Sequence, residues 1–335
     1  MREHCRLAVL AASLLSALCA QTPLFISGIT VIDATGSAAQ PAQSVLIRNG
    51  RIEAIGPAGK VRPPRGARVV DAAGKFLIPG LWDMHTHLAG VAAEPSWSRD
   101  ALLPLLLANG ITGVRDMGGD LEALNAWRRD IGAGKLQGPQ IVASGPMLIA
   151  RGQSAPDQLP VSDASETRAA VRDLKQRGAD FIKVISLPSR EAFLALAEEC
   201  RTLAIPFVGH VPSVVTATEA SDAGMRSIEH SVYSNLAVDV STRGEEIRLG
   251  LEKAHASLLL EAVDSYSPDR AAPLAGTLLR NRTWFVPTLY SILKLGAPDA
   301  ATPDPLLKFL PARLRGQWTR GNQASEATRL WWAKQ

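Results

Sequence analysis

Two histidines one residue apart, His85 and His87, follow two apolar runs broken by Pro79-Gly80. On an extended strand, residues i and i+2 face the same side, so the pair aims two imidazoles at one point. That arrangement suits a metal ion; taken alone, it also fits two strand-end histidines with no ligand. His210 and His230 occupy comparable places, after Phe207-Val208-Gly209 and Ser227-Ile228-Glu229. Of six histidines, four close an apolar run, and the others are His4 near the N-terminus and His255 in a helical stretch. Random placement would rarely give that pattern. Lys183 lies inside Phe181-Ile182-Lys183-Val184-Ile185. A lysine there would bury an ammonium ion at large cost, and burial lowers its pKa. A neutral amine can add carbon dioxide to form a carbamate, whose oxygens can bridge two cations. The alternative is a lysine that snorkels from the strand end; four histidines at neighbouring strand ends favour the ligand.

Such residues need elements that bring distant positions together. From Leu81 onward, short apolar runs alternate with helical patterns. The expected strands are Leu81–His87, Ile111–Asp116, Gln140–Gly145, Phe181–Ile185, Phe207–His210, Ser227–His230 and Trp284–Pro287. Helices are expected at Leu121–Gly132, Glu166–Arg177, Arg190–Leu203 and Val214–Ala223. Strand–helix–strand spacing implies parallel pairing with right-handed crossovers. Seven such units predict an α/β fold, a TIM-type (β/α)8 barrel over residues 79–335, whose catalytic groups gather at the C-terminal strand ends. No eighth strand is recognisable. Ala297–Pro305 is irregular, and an amphipathic helical stretch runs from about Leu306 to Gln335. Residues 21–78 read instead as short strands, with Asn49-Gly50 as a two-residue hairpin turn. They predict a small N-terminal β-domain, part of a composite sandwich.

The chain has 335 residues with a formal net charge of +4 and no basic stripe interleaved with aromatics, which argues against a nucleic-acid partner. Arg2 and Arg6 precede an apolar stretch from Leu7 to Leu18, then Cys19 and Ala20. Residues 1–20 therefore read as a signal peptide, predicting a secreted or periplasmic protein with no stable membrane span after cleavage. Cys19 raises a lipoprotein reading, against which the large Leu18 stands. Beyond that segment only Cys200 remains, so no intrachain disulfide is expected, and Cys200 reads as a buried, inert thiol.

Taken in order, Pro79–His87, Thr112-Gly113-Val114-Arg115-Asp116, Ile182-Lys183-Val184, Gly209-His210-Val211 and Ile228-Glu229-His230 resemble the amidohydrolase superfamily of metal-dependent hydrolases. The likeness is strongest to its imidazolonepropionase-like and Xaa-Pro dipeptidase-like branch, and covers the chain from about Leu24. The resemblance implies that His85 and His87 bind the more buried metal, that a carboxylated Lys183 bridges two ions, and that His210 and His230 bind the second. Zinc is the ion implied, and a metal-activated hydroxide would hydrolyse the carbon–nitrogen bond of a small-molecule amide, cyclic amide or dipeptide. An oligomer is compatible with this reading.

Tyr233, three residues past His230, would contact the substrate or a developing oxyanion; it equally fits an ordinary loop tyrosine. Arg115 could grip a substrate carboxylate or pair with a structural acid such as Asp116. Asp83 lies deeper than the two histidines and suits a supporting role. The sequence departs from the family at strand eight, where members carry a metal-binding, proton-shuttling aspartate in a Gly-Thr-Asp context. Asp299 and Asp304 lie in a loop-like run, and the role does not transfer to them. The C-terminal strands that complete the small domain are also missing. The expectation is a C-terminally truncated member, and losing a general base commonly costs about 10²–10⁴-fold in rate. The alternative function is an inactive amidohydrolase-like metal-binding protein. Residues 147–165 and 231–280 show no polar pattern that names a substrate.

Overall fold

The computed structural model describes residues 22–90, 93–152, 156–230, 235–250, 261–289 and 305–321. Contacts divide the chain into two units that meet between Gly80 and Leu81.

In the first unit, β1 (Leu24–Val31), β2 (Gln40–Arg48), β3 (Arg51–Pro57), β4 (Arg68–Asp71) and β5 (Phe76–Leu77) form one mixed sheet. Its order is β3-β2-β1-β4, with β5 also pairing β1. The β2–β3 turn is Asn49-Gly50, with φ of 50° and 71°. Those left-handed values are what a two-residue hairpin needs. β1 runs unbroken through Gly28, and its register with β2 shifts past Ile26. Ile29, Val31, Val45 and Ala72 form its buried cluster. Every strand connects to one ladder through β1 or β2, so the described residues make one sheet layer where a sandwich was expected.

The second unit holds two parallel sheets. The first joins β6 (Leu81–Thr86), β7 (Ile111–Asp116) and β8 (Gln140–Ala143). The second has the order β10-β9-β11-β12-β13-β14. Its strands are β9 (Met147–Ala150), β10 (Gln158–Val161), β11 (Ile182–Val184), β12 (Phe207–Gly209), β13 (Ser227–Glu229) and β14 (Trp284–Val286). All seven expected strands are present; β9 and β10 are additional. Helices connect them: α1 (Leu103–Ala108), α2 (Leu121–Gly132), α3 (Ala164–Gln176), α4 (Arg190–Thr202), α5 (Ala217–Asp222) and α6 (Pro268–Asn281). Asp120, Asp163, Ser189 and Thr216 cap α2 to α5, each side chain accepting from a first-turn N–H. Thr216 and Glu219 complete a reciprocal capping box. The caps start each helix directly after the loop that follows a strand, and so set the length of those loops. Leu121, Leu124, Leu174, Phe193 and Leu196 then bury the inner helix faces against the strands.

Asp180 joins the two sheets. Its N–H donates to Ala143 O at 2.9 Å, and its carboxylate accepts from Ala143 N at 2.8 Å. On the other side, β6 pairs only with β7 and β14 only with β13, among the described residues. Trp284, 73% exposed, marks the β14 edge. No closed eight-stranded barrel is therefore present in the described residues, because no strand bridges β14 to β6. The described part of the C-terminal stretch contains a helical turn at Pro305–Phe309 and helix α7 (Ala312–Gly321). No helix among the described residues is long and apolar enough to cross a membrane. Residues 1–21, and with them the expected signal peptide, lie outside the described residues, as do Tyr233, His255, Asp299 and Asp304.

Candidate functional site

The C-terminal ends of β6, β12 and β13 bring four imidazoles together. Ring centroids lie 5.3 Å apart for His85–His87, 4.5 Å for His85–His230 and 5.3 Å for His210–His230. Two backbone features permit this. Gly209 has φ +136°, and a Cβ there would lie 2.1 Å from Val184 O. Only glycine lets β12 approach β11 that closely just before His210. His230 itself has φ +61°. A side chain other than glycine rarely takes that conformation, and such strain concentrates at functional sites.

Hydrogen bonds assign the ring protons. His87 Nδ1 lies 3.0 Å from Gly118 O, which can only accept, so Nδ1 carries the proton. His85 Nδ1 lies 2.9 Å from the Glu229 carboxylate, with the same consequence. His230 Nδ1 lies 2.6 Å from Thr288 Oγ1, whose own proton goes to Pro287 O. That hydroxyl therefore accepts from His230. Three rings thus carry their lone pairs on Nε2, the state a metal-ligating histidine adopts when its other nitrogen is held.

Burial is the main force on all four pKa values. It pulls His87 down to about 4, against the Gly118 hydrogen bond. It pulls His210 to about 2 and His230 to about 3, and lowers His85 against the pull of Glu229. All four rings are neutral at pH 7, as ligation requires. Lys183 is fully buried in β11, and burial lowers its amine to about 7 against the attraction of Glu229. Its charge acts on every one of the four imidazoles. The snorkelling alternative is excluded by that burial. The donor chemistry fits a divalent metal: neutral imidazoles beside a lysine near half-neutrality at pH 7. Among the described residues, no three histidine, cysteine, aspartate or glutamate side chains form a closed metal-binding group.

Arg115 is turned into the protein. Its Nε donates to Met84 O at 2.8 Å, Nη1 to Ser227 Oγ at 2.9 Å and Nη2 to Glu229 Oε1 at 2.6 Å. Its acidic partner is Glu229, not Asp116. Asp116 instead accepts from Leu88 N and Gly118 N, shaping the loop after His87. Burial raises its carboxyl to about 7 despite those bonds. Asp83 accepts from His85 N at 3.0 Å, a supporting contact.

The sequence reading assigned no role to Glu229, Thr288 or Asp157. Glu229 carries the same signal as Lys183, an ionisable residue inside an apolar strand. Asp157 precedes β10 and is 8% exposed; its charge acts on His87, and its Oδ2 lies against Gly90. A cavity of about 430 Å³ opens beside it, with Ala89, Gly90, Gly119 and Pro146 in its walls. Another, of about 440 Å³, lies away from the histidines between Thr216, Arg248 and Pro273.

In fold the chain is similar to solved amidohydrolase and dipeptidase structures, and segments of it are similar in sequence to dihydroorotases and adenine deaminases. Among solved structures it is similar to the bottromycin amidohydrolase, with TM-score 0.65 and 22% identity over 93% of this chain and 63% of that one. A putative prolidase from Bifidobacterium longum gives TM-score 0.59 and 22% identity over 90% of this chain and 68% of that one. A Xaa-Pro dipeptidase with bound methionine gives TM-score 0.58 and 19% identity, covering 93% and 77%. In sequence, the chain is 42% identical over 91 residues to a dihydroorotase of Anaeromyxobacter dehalogenans, covering 27% of this chain and 20% of the relative. Adenine deaminase 3 of Rhizobium meliloti is 28% identical over 164 residues, covering 39% and 28%. The matched segments thus span a fifth to just over a quarter of those curated relatives. No family model matches the chain.

Proposed function

We propose that this chain is a hydrolase of carbon–nitrogen bonds, built on a TIM-type barrel and acting on a small amide or dipeptide. His85, His87, His210 and His230, with a carboxylated Lys183, would hold one or two divalent ions, zinc matching the donors best. Bound there, such ions supply Lewis acidity toward a scissile carbonyl and acidify a water molecule. The observation that carries this reading is the meeting of four neutral imidazoles around one buried lysine at the ends of parallel strands.

The chain's own residues contribute the rest. Gly118 and Thr288 keep the protons of His87 and His230 on Nδ1. Burial of Lys183 keeps a large fraction of its amine neutral near pH 7, the form that takes up carbon dioxide. Tyr233 would offer its hydroxyl to the substrate. Each of Arg115's three nitrogens is engaged within the protein, so it supports the strands rather than gripping a substrate carboxylate. The N-terminal stretch would direct export to the periplasm or the medium.

The test combines metal content with turnover. Protein loaded with Zn²⁺ is assayed by elemental analysis and by amine release from dipeptides, N-acyl amino acids and cyclic amides. Wild type should retain metal and His85→Ala should lose it; unchanged metal in His85→Ala refutes the ligand assignment. Lys183→Ala should lose metal and regain it with a short carboxylic acid. Metal binding without turnover would favour the inactive metal-binding protein.

A further inference from the structure

Glu229 is completely buried, yet it is ionisable and ends β13, the strand next to the β14 edge of a parallel sheet. Its two oxygens have different tasks. Oε1 takes Arg115 Nη2 at 2.6 Å and Ser227 Oγ at 2.5 Å, and Ser227 Oγ in turn accepts from Arg115 Nη1. This closed triangle fixes the carboxylate from the β7 and β13 sides. Oε2 is left for one partner, His85 Nδ1. Arg115 also holds Met84 O, the carbonyl immediately before His85. One network therefore sets both the backbone and the ring of His85. The other two assigned rings have neutral acceptors, a carbonyl for His87 and a hydroxyl for His230. His85 Nδ1 is hydrogen-bonded to a carboxylate, and a carboxylate partner makes an imidazole a stronger ligand than a neutral partner does.

We propose that Glu229 is the positioning residue of the site: its Oε2 holds the His85 proton on Nδ1, so that the Nε2 lone pair is presented to a divalent cation. The proposal rests on the metal reading above, and the experiment separates the two. A glutamine at 229 has one oxygen and one amide nitrogen. Arg115, the charged donor, keeps the oxygen. The amide then donates to His85 Nδ1, and the ring moves to its Nε2–H form, which cannot ligate through that atom.

The test uses the full chain with ¹⁵N-labelled histidine, metal-free, with the His85 signals assigned by their loss in His85→Ala. Wild type should show His85 protonated on Nδ1, and Glu229→Gln should show it on Nε2. Zn²⁺ affinity, measured by competition with a chromophoric chelator, should fall about 10–100-fold in Glu229→Gln. Ser227→Ala removes one of the two donors to Oε1 but leaves the Oε2 contact with His85, so His85 should stay protonated on Nδ1 in that variant. A purely structural role for Glu229 would lower stability without moving the tautomer. Wild-type His85 in the Nε2–H form overturns the proposal, as does undiminished Zn²⁺ affinity in a folded Glu229→Gln. Should that variant fail to fold, the wild-type tautomer still decides. Wild type that shows the Nδ1–H form but binds no Zn²⁺ refutes the metal reading, while the hold of Glu229 on the ring stands.

Discussion

Replacing Arg115 by methionine tests how the three staves are tied. Methionine keeps the apolar length of the side chain and removes the charge. Three hydrogen bonds disappear: to Met84 O, to Ser227 Oγ and to Glu229 Oε1. Breaking a buried ion pair from one side typically costs about 3–5 kcal/mol, because the remaining charge is left without its partner. Glu229 is not stripped bare. It keeps the bonds from His85 and Ser227. Burial alone would raise its pKa, but the His85 bond, the Arg115 charge and the Ser227 bond together hold it below the ordinary value. The lower half of the range, about 3–4 kcal/mol, is therefore expected for Arg115→Met. Urea unfolding followed by tryptophan fluorescence measures it. In the double variant Arg115→Met/Glu229→Gln the two losses should fall short of additivity by about 1–3 kcal/mol, as residues of one network do. A loss below about 1 kcal/mol in Arg115→Met would show that the network bears little of the fold, and would refute the reasoning.

Three further outcomes follow from the same geometry. Gly209→Ala places a Cβ against Val184 O at a positive φ and should cost about 2–5 kcal/mol by urea unfolding, or prevent folding; a neutral effect would show that β12 can draw back from β11. In metal-free protein, burial holds the pKa values of His87, His210 and His230 below the ordinary 6.5 of a free imidazole, so the unfolded chain binds more protons as pH falls below that value. Asp116, raised to about 7 by burial, and Asp239, also raised by burial, work the other way, but two carboxyls oppose four imidazoles once His85, lowered by burial, is included. Stability should therefore decline from about pH 6.5 toward about pH 4, and a flat profile in urea midpoints would contradict the burial of the rings. Cys200 is buried with its thiol pushed up to about 12. In a Cys5→Ser, Cys19→Ser background it should resist maleimide until urea unfolds the chain.

Much of the candidate site was legible because side chains on a strand obey its two-residue period. His85 and His87 are a same-face pair wherever the strand begins. Lys183 stands out because an ammonium inside Ile182–Val184 contradicts its neighbours. What could not be read was pairing at a distance. Glu229 carries the same anomaly as Lys183, but its partners His85 and Arg115 lie 144 and 114 residues away on other strands. No local pattern can name them, which is why Asp116, adjacent in sequence, stood as the candidate partner for Arg115. β9 and β10 escaped for a different reason. Met147–Ala150 is a short apolar run with no alternation, and Pro160 inside β10 reads as a break. That proline is tolerated because β10 lies at the edge of its sheet. α6 was hidden by Pro273 in its interior, a residue that argues against a helix. The sandwich was expected from the number of short strands, and strand number does not reveal that all five share one ladder.

The 144-residue separation of His85 and Glu229 also sets a clock. At a synthesis rate of about 5–20 residues per second, the ribosome reaches Glu229 about 7–30 s after His85. Throughout that interval the His85 ring has no carboxylate to fix its proton. Strand β6 is made early, whereas β13, which carries Glu229 and leads into His230, is nearly the last strand of the unit to appear. The site is therefore a late product of biosynthesis. Before then only the local pair His85 and His87 exists, in a flexible chain, and the cluster of four imidazoles forms only once most of the unit has folded around it.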